Sequence, residues 1–491
     1  MGRADLPPEV RRIAIVVIVG AIMSILDTTI VNVALETLRQ DLDVSLTTIQ
    51  WVSTGYLLAL SAVIPLTGWM AERFGPRRVW MYAVGAFVLT SALCGLAWSA
   101  GALIGFRVLQ GLAGGMIMPV GMITLAQAAG PQRMGRVMSV VGVPMLLAPV
   151  LGPALGGLLV EHLSWRWIFY VNLPVGVIGL MLAARLMPPE RSVGQHGGEL
   201  PPLDVRGLVL LPPGVAAIVF GLSEIGAHRT IATPSAWVPI VLGSIAVAAF
   251  VIHALRVPFP LVAVRLLRSP GFAAATGTVF LLGVSLFGSM ILLPLYYQIA
   301  RGESPLIAGL LIAPQGIGAA IGMNVGGRLT DRLGAGRVVP AGLVVLTLGT
   351  VVFAFVGDST SYWLLSGALV LRGLGLGASM MPAMAGAYAT LERHEVPRAT
   401  PMLNVIQRVG GSIGVAVLTV VLENGIESRP ATPAGAASAF AHTYWWAVIG
   451  SLIAIVPALI LAREERRARE RRATSPEAPP GPGAGEPAVA A

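Results

Sequence analysis

The chain is a succession of long apolar runs separated by short polar segments. Each run is about 20 residues long, the length that an α-helix needs to cross roughly 30 Å of hydrocarbon. Charged residues are rare inside them, and most of the segments between them are short. The pattern therefore predicts an all-α polytopic membrane protein with 14 transmembrane helices. The predicted spans, TM1 to TM14, are residues 13–35, 49–71, 79–99, 102–126, 136–160, 167–187, 206–226, 236–256, 272–295, 305–327, 338–357, 362–387, 402–423 and 443–462.

One polar segment occurs twice. The chain has Gly68-Trp-Met-Ala-Glu-Arg-Phe-Gly-Pro-Arg-Arg between TM2 and TM3, and Gly327-Arg-Leu-Thr-Asp-Arg-Leu-Gly-Ala-Gly-Arg between TM10 and TM11. A glycine, an acidic residue, an arginine, a second glycine and a final arginine have the same offsets in both copies. Internal repeats of apolar spans are typical of secondary transporters. The repeat predicts two six-helix bundles, residues 13–187 and 272–462, with two central accessory helices in residues 206–256.

Arginine placement predicts the orientation of the chain. The even-numbered loops hold most of the loop arginines, and the odd-numbered loops hold only scattered ones. By the positive-inside rule, the even-numbered loops and both termini are cytoplasmic, as in a multi-pass protein of the cell (inner or plasma) membrane. The remaining segments are then a cytoplasmic N-terminal tail, two cytoplasmic loops beside the accessory helices, and a tail that is basic and then disordered: residues 1–12, 188–205, 257–271 and 463–491.

Composition excludes several function classes. Apolar residues make up 55% of the chain, charged residues 12%, and mean hydropathy is +0.79. The net charge of +9 comes from arginine alone, because the chain has no lysine, so it lacks a Gly-Lys-Ser/Thr phosphate loop and a lysine Schiff base. Its single cysteine, Cys94, excludes internal disulfides and CxxC sites. The Gly410–Gly414 segment matches a nucleophile-elbow pattern but lies in a span rather than after a strand. We therefore expect no enzyme activity, no metal, no cofactor and no nucleic-acid partner.

Two charged residues inside spans are the candidates for chemistry. A carboxylate at bilayer depth costs roughly 2.5–3.5 kcal/mol, so Asp27 in TM1 needs a partner or a water-filled cavity. Burial favours the neutral acid and a nearby arginine favours the ionised one, so such a group can take and release a proton. Arg107 in TM4 stays protonated and can only bias that carboxylate. The alternatives are a structural Asp27 and an Arg107 that reaches the membrane surface. Arg372 in TM12 is the counterpart of Arg107 in the second half.

TM5 is the other unusual span. It contains Pro144, Pro149 and Pro153, and proline removes a backbone donor from a helix. Gly152 and Gly156 form a face on which another helix can pack closely. The segment predicts a hinge or a seal between the two halves, although packing alone would also account for the glycines.

These motifs together resemble one family. The Gly68–Arg78 loop resembles the signature between the second and third spans of the major facilitator superfamily. Leu26–Leu35 resembles the first-span signature of its fourteen-span drug/proton antiporter family, and Arg107 with Gln110-Gly111 resembles the fourth-span motif. Gly152–Gly157 resembles the antiporter motif of the fifth span, and Ser164–Gly176 is also similar to this family. The chain departs from the family at Glu36, Glu72 and Pro76, where the family has a proline, an aspartate and an uninterrupted basic run.

The resemblance implies a major facilitator fold and a proton-coupled antiporter that exports small amphipathic compounds by alternating access. The alternatives are a dedicated exporter of one endogenous metabolite or lipid, and a proton-coupled importer. The resemblance implies a monomer in a lipid bilayer with protons as the coupling ion, and leaves a periplasmic adaptor subunit open. The site residues that it implies are Asp27 and Arg107 for proton coupling; Asn32, Gln110, Met116, Tyr296, Tyr297, Gln298, Met380 and Met381 for the substrate cavity; Gly68, Glu72, Arg73, Gly75, Arg77, Arg78, Asp331 and Arg332 for a conformational latch; and Pro149, Gly152, Pro153, Gly156 and Gly157 for the antiporter helix motif.

Overall fold

A computed structural model describes residues 6–130, 133–188, 202–228, 233–392 and 394–474, and within these ranges the chain forms helices and no strands. The N-terminal bundle and the accessory helices follow the predicted spans in order. TM1 is Pro8–Asp41, TM2 is Leu46–Val63 and Thr67–Phe74 joined by a 3₁₀ turn, TM3 is Pro76–Gly95, TM4 is Ala100–Ala129, TM5 is Met134–His162, TM6 is Trp167–Tyr170 and Asn172–Leu186, TM7 is Val205–His228 and TM8 is Pro234–Ala254.

The C-terminal bundle holds the remaining six spans. Thirteen helices of the described chain are long and apolar enough to cross a membrane. TM5, a helix of 29 residues, completes the predicted fourteen and runs as one helix through its proline-containing segment. TM9 is Pro270–Leu295 extended by a π-helical turn Tyr296–Ala300, TM10 is Pro305–Leu333, TM11 is Ala335–Val351 with a 3₁₀ turn to Phe355, TM12 is Tyr362–Ala389, TM13 is Val396–Glu427 and TM14 is Pro433–Thr474.

Helix pairing shows that the two bundles have the same internal arrangement. In the first, TM4 packs against TM1, TM2 and TM3, TM1 also packs against TM5 and TM6, and TM3 packs against TM6. In the second, TM12 packs against TM9, TM10 and TM11, TM9 against TM13 and TM14, and TM11 against TM14. Each pair therefore recurs eight helices later, so the repeated sequence pattern reflects a repeated structure.

The bundles meet along two seams that are also related by the repeat. TM5 packs against TM10 and TM12, and TM13 packs against TM2 and TM4. The accessory helices TM7 and TM8 pack against each other, and TM7 also contacts TM2 and TM13. The accessory pair therefore lies beside the TM2–TM13 seam.

Several helix ends differ from the prediction. Pro65 lies in the 3₁₀ turn that interrupts TM2, because its ring removes a backbone donor. TM14 continues as a helix through the basic segment that was predicted as a tail. Ion pairs at helical spacing, Arg466–Glu470 and Arg467–Glu464, each 2.8 Å long, accompany this extension.

The second glycine of each repeated segment ends one helix and starts the next. Gly75 has φ 87° and Gly334 has φ 89°, and each backbone N–H closes the preceding helix on Ala71 or Thr330. A side chain would be strained in this left-handed region, which explains a glycine at both positions. The end of the molecule that carries these two turns is called the Arg-rich end below.

Asp204 joins the start of TM7 to the end of TM8. Its carboxylate accepts hydrogen bonds from the backbone of Gly207 (2.8 Å) and Leu261 (3.1 Å), and His253 Nε2 lies 2.8 Å from Asp204 Oδ1. Burial alone would raise the pKa of Asp204, but the hydrogen bonds from Gly207, His253 and Leu261 lower it below the usual carboxyl value. The ionised form is therefore the one that holds this corner together.

We expect Asp204→Ala to destabilise the accessory pair by about 1–2 kcal/mol, because it removes a helix cap and a charged hydrogen bond. A folded-state pKa below the unfolded value means that this stability is present at neutral pH. It is lost as the pH falls below the usual value of 3.8 and through the folded-state pKa. Melting temperature in detergent at pH 7 and at acid pH measures both effects. Asp358→Ala, at an exposed aspartate, is the control, and a difference that does not shrink at acid pH contradicts the prediction.

Candidate functional site

Asp27 and Arg107 meet in the centre of the N-terminal bundle. Arg107 donates from a terminal nitrogen to Asp27 Oδ2 over 2.6 Å, and the two side chains are 1% and 0% exposed. Gln110, one helical turn after Arg107, donates to Asp27 Oδ1 over 3.1 Å and accepts from Arg107 over 2.8 Å. The three residues form one closed hydrogen-bonded group in which the buried charges compensate each other.

The position of Arg107 is fixed from three directions. Its Nε donates to the backbone oxygen of Val52 in TM2 over 3.2 Å, and its guanidinium lies 3.9 Å from the centre of the Tyr56 ring. The ring of Phe169 lies further away, at 5.8 Å. The arginine is therefore held by TM2 and TM6 as well as by Asp27. A shift of TM1 relative to TM2 would separate the acid from a cation that cannot follow it.

Asn172 and Ser91 belong to this site, although the sequence analysis did not select them as site residues. Asn172 in TM6 donates from one amide nitrogen to Asp27 Oδ1 over 2.8 Å and to Ser91 Oγ over 3.0 Å. Ser91 in turn donates to the backbone oxygen of Phe169 over 2.9 Å. The sequence signal that could have identified Asn172 was a polar amide within an apolar span, in the Ser164–Gly176 segment that carried the family resemblance.

The partners of Asp27 among the described residues are N–H donors. Arg107 and Gln110 donate from TM4 and Asn172 donates from TM6. Since the side chain of Asp27 is 0% exposed, water does not reach the carboxylate in this conformation.

The glycines of the antiporter helix motif contact TM1 next to Asp27. A Cβ at Gly152 would overlap Thr29 Oγ1, and one at Gly156 would lie 3.1 Å from the backbone oxygen of Ile30. Gly157 has open space around it. These glycines allow TM5 to pack closely on the turn of TM1 that follows Asp27. The side chains of Pro149 and Pro153 lie outside the described part of the structure.

Arg372 occupies the corresponding place in the C-terminal bundle but has different partners. It is fully buried and donates to Thr350 Oγ1 (3.2 Å), to Gln315 Oε1 (2.8 Å) and to Ser289 Oγ in TM9. Within the described residues, Arg372 has no carboxylate partner. The two halves therefore share a buried arginine, but the carboxylate that pairs with it occurs in the first half.

The residues predicted for the substrate cavity are spread over different environments. Asn32 is exposed and accepts from Ser53 Oγ over 2.9 Å, and Met116 and Gln298 are part-exposed. Met380 and Met381 are buried in TM12. Gln110 belongs to the Asp27 site described above.

Tyr296 and Tyr297 lie inside the C-terminal bundle. Both are at most 1% exposed, and the Tyr296 hydroxyl donates to the backbone oxygen of Gly357 over 2.8 Å. The Tyr296 ring also packs edge-on against Phe440 in TM14, with 5.7 Å between ring centres. These rings therefore pack against helices of their own bundle in this conformation, and their place in a substrate cavity stays a prediction.

The first repeated segment contacts TM13 of the opposite half. A Cβ at Gly68 would overlap the backbone oxygen of Pro397, so only a glycine allows this approach. Four residues later, Glu72 accepts two hydrogen bonds at 3.0 and 2.9 Å from Arg398. Such a two-point arginine–carboxylate pair fixes geometry as well as charge. Arg398, which the sequence analysis did not propose for the latch, is therefore the partner of Glu72.

The second repeated segment makes the equivalent contact with TM5. A Cβ at Gly327 would overlap Ser139 Oγ, and Ser139 donates to the backbone oxygen of Met323 over 2.6 Å. Asp331 lies 3.9 Å from Arg136, which makes this ion pair the looser of the two. The glycine and the acid of each repeat thus bind the opposite half.

The other charged residues of the predicted latch are Arg73, Arg77, Arg78 and Arg332. Arg77 donates to the backbone oxygen of Ala184 in TM6 over 2.8 Å, within its own bundle. Arg73, Arg78 and Arg332 are exposed. The glycines and acids of the repeat thus make contacts between the halves at the Arg-rich end, whereas Gly75 shapes the turn.

The fold and the site are those of a secondary membrane transporter built from two repeated bundles. The sequence profile of the Major Facilitator Superfamily matches residues 17–415, and the chain belongs to that superfamily. It is 43% identical over 414 residues to the multidrug resistance protein B homolog of Mycobacterium tuberculosis, covering 84% of this chain and 76% of that protein. It is 32% identical over 478 residues to the methylenomycin A resistance protein of Streptomyces coelicolor, covering 96% of each.

A solved structure supports the fold independently. The chain superimposes on the proton:xylose symporter XylE with a TM-score of 0.63 at 13% identity, covering 91% of this chain and 94% of that one. The relatives, rather than this structure, are consistent with a multidrug-type exporter of the major facilitator superfamily.

We expect Arg107→Gln to lower the stability of the folded protein by about 3–5 kcal/mol, because Asp27 is left buried without a counter-ion. Asp27→Asn in the same chain should recover a large part of this loss. The measurement is the melting temperature of the purified protein in detergent, with Arg328→Gln, at an exposed arginine of TM10, as the matched control. A double variant as unstable as Arg107→Gln alone contradicts a paired site.

The contact between Glu72 and Arg398 can be tested by exchanging the charges. Glu72→Arg alone places two arginines against each other, and we expect transport turnover to fall about tenfold or more. The double variant Glu72→Arg/Arg398→Glu restores an attractive pair and should recover much of the rate. If the two single effects simply add in the double variant, the residues do not act as a pair.

Proposed function

We propose that the protein is a proton-coupled antiporter that exports small amphipathic compounds from the cytoplasm by alternating access. The observation that supports coupling most directly is the closed pair of Asp27 with Arg107, at 0% and 1% exposure. A charged pair in the membrane interior is costly, so charged residues there usually mark a functional site. Proton relay is a common function of such sites. The names of the two relatives support export of toxic compounds as the direction and purpose of transport.

The geometry suggests how a proton couples to movement. Protonation of Asp27 removes the charge that holds Arg107, while Arg107 keeps Val52 and Gln110 as partners. TM1 is then released from TM4, and TM5 moves with it because Gly152 and Gly156 pack on TM1. Since TM5 also contacts TM10 and TM12, a change at the carboxylate reaches the seam between the bundles.

The contacts at the Arg-rich end support the assignment of a conformational state. By the arginine distribution this end is cytoplasmic, and Glu72–Arg398 and Asp331–Arg136 join the halves there. We propose that these pairs hold the outward-facing form and separate when the transporter opens to the cytoplasm. In the outward-facing form Asp27 takes up a proton from outside, and in the form open to the cytoplasm it releases that proton inside.

The driving force is sufficient for export. One proton moving inward across 100 mV supplies about 2.3 kcal/mol. With about 1.4 kcal/mol for each tenfold ratio, this sustains a gradient of about fortyfold before any pH difference is added.

The alternative function, a dedicated exporter of one compound, is supported by the relative that is named for resistance to a single antibiotic.

We expect Asp27→Asn to abolish proton-driven transport but to leave substrate exchange without a gradient. Everted membrane vesicles with an imposed pH gradient measure driven uptake of a fluorescent dye, and proteoliposomes without a gradient measure exchange of labelled against unlabelled dye. Asp358→Asn, at an exposed residue, should behave as wild type. Driven uptake in Asp27→Asn within twofold of wild type, at equal protein level, would remove Asp27 from the mechanism.

A further inference from the structure

Arg408 is a charged residue in the middle of TM13 that none of the motifs accounts for. It is part-exposed, so it borders an accessible space rather than closed packing. Among the described residues, the structure gives it no hydrogen bond and no ion pair. A cation at this depth without a partner requires an explanation.

Helical spacing shows which way Arg408 points. Pro397, Pro401 and Arg408 are four and seven residues apart, so they lie on one face of TM13. The first two pack on Gly68 at the Arg-rich end of TM2, and Arg408 follows Pro401 by two turns of the same helix. Arg408 therefore lies on the face of TM13 that is turned towards TM2, at the seam between the two bundles.

The neighbours of Arg408 along TM13 are polar, and one of them contacts a flexible methionine side chain of TM12. Asn404, one turn away, is part-exposed and donates to the backbone oxygen of Thr400 over 2.9 Å. Gln407 Nε2 lies 3.9 Å from Met380 Sδ in TM12. Methionine side chains adjust to varied apolar groups. The surroundings thus offer a fixed positive charge beside a deformable apolar wall.

Comparison with the other buried arginines shows what Arg408 lacks. Arg107 is neutralised by Asp27, and Arg372 is surrounded by hydroxyl, amide and carbonyl oxygens. Arg408 has neither kind of partner. Its charge is not compensated by the described residues, and a cationic ligand between the bundles would be repelled by it.

We propose that Arg408 binds the acidic group of the transported compound, an inference that rests on the proposed function as an exporter. The substrates are then amphipathic organic anions such as carboxylates. The ligand's carboxylate supplies the missing counter-charge to the guanidinium. Its apolar part contacts the wall that contains Met380. Arg408 thereby selects substrate charge, whereas Asp27 and Arg107 handle the proton.

The test uses three naphthalene probes that differ in charge: naphthalene-1-acetate, the isosteric naphthalene-1-acetamide, and the cationic amine 2-(1-naphthyl)ethylamine. Binding to the purified full-length protein in a neutral detergent is measured by calorimetry without any proton gradient. We expect the acetate to bind at least tenfold more tightly than the amide, and the amine to bind least. Arg408→Gln should remove this preference, Arg408→Lys should keep most of it, and Arg466→Gln, at an exposed arginine of TM14, should leave it unchanged.

A second measurement separates this inference from the proposed function. Uptake of the three probes is followed in phosphatidylcholine proteoliposomes, which contain no lipid of net negative charge, with and without a pH gradient. Preferential binding of the acetate without gradient-driven uptake would support the anion site and contradict proton coupling. Gradient-driven uptake of the amine in preference to the acetate, or an unchanged preference in Arg408→Gln, would overturn the anion site and leave proton coupling standing.

Discussion

A carboxylate without water must find its compensation inside the protein, and the N-terminal bundle is arranged around that requirement. Asp27 receives one charged and two amide hydrogen bonds from TM4 and TM6. Each donor is itself fixed: Arg107 by Val52 and Tyr56, and Asn172 by Ser91. Because breaking a buried pair is costly, one side chain of TM1 ties together the positions of TM2, TM3, TM4 and TM6.

The repeat explains why a change in one bundle involves the other. Gly68 with Glu72, and Gly327 with Asp331, each combine a close backbone approach with an ion pair to the opposite half. The two copies are not equal, since the first pair is two-pronged and the second is 3.9 Å long. The buried arginines are unequal too, because Arg372 has neutral partners. Structural symmetry is thus combined with chemical asymmetry.

The sequence was sufficient for the helical spans and the repeat, because hydrophobic length and identical offsets depend only on the chain itself. It also selected Asp27, Arg107 and Gln110, since charged and polar residues within spans are conspicuous. It did not select Asn172 or Arg398, whose partners are remote in sequence, and it did not select Arg408. Tyr296 and Tyr297 were predicted to line a cavity, but an aromatic pattern does not indicate which face of a helix meets its own bundle. Helix ends such as Thr474 depend on local ion pairs that hydropathy does not measure.

The placement of TM7 and TM8 has a consequence for how molecules dissolved in the bilayer approach the centre. TM7 contacts both TM2 and TM13, so the accessory pair shields one of the two seams from the surrounding acyl chains. The TM5–TM10 seam has no such cover among the described helices. The two sides of the molecule are therefore inequivalent for a lipophilic compound that diffuses within a leaflet, because acyl chains are separated from one seam by the accessory pair.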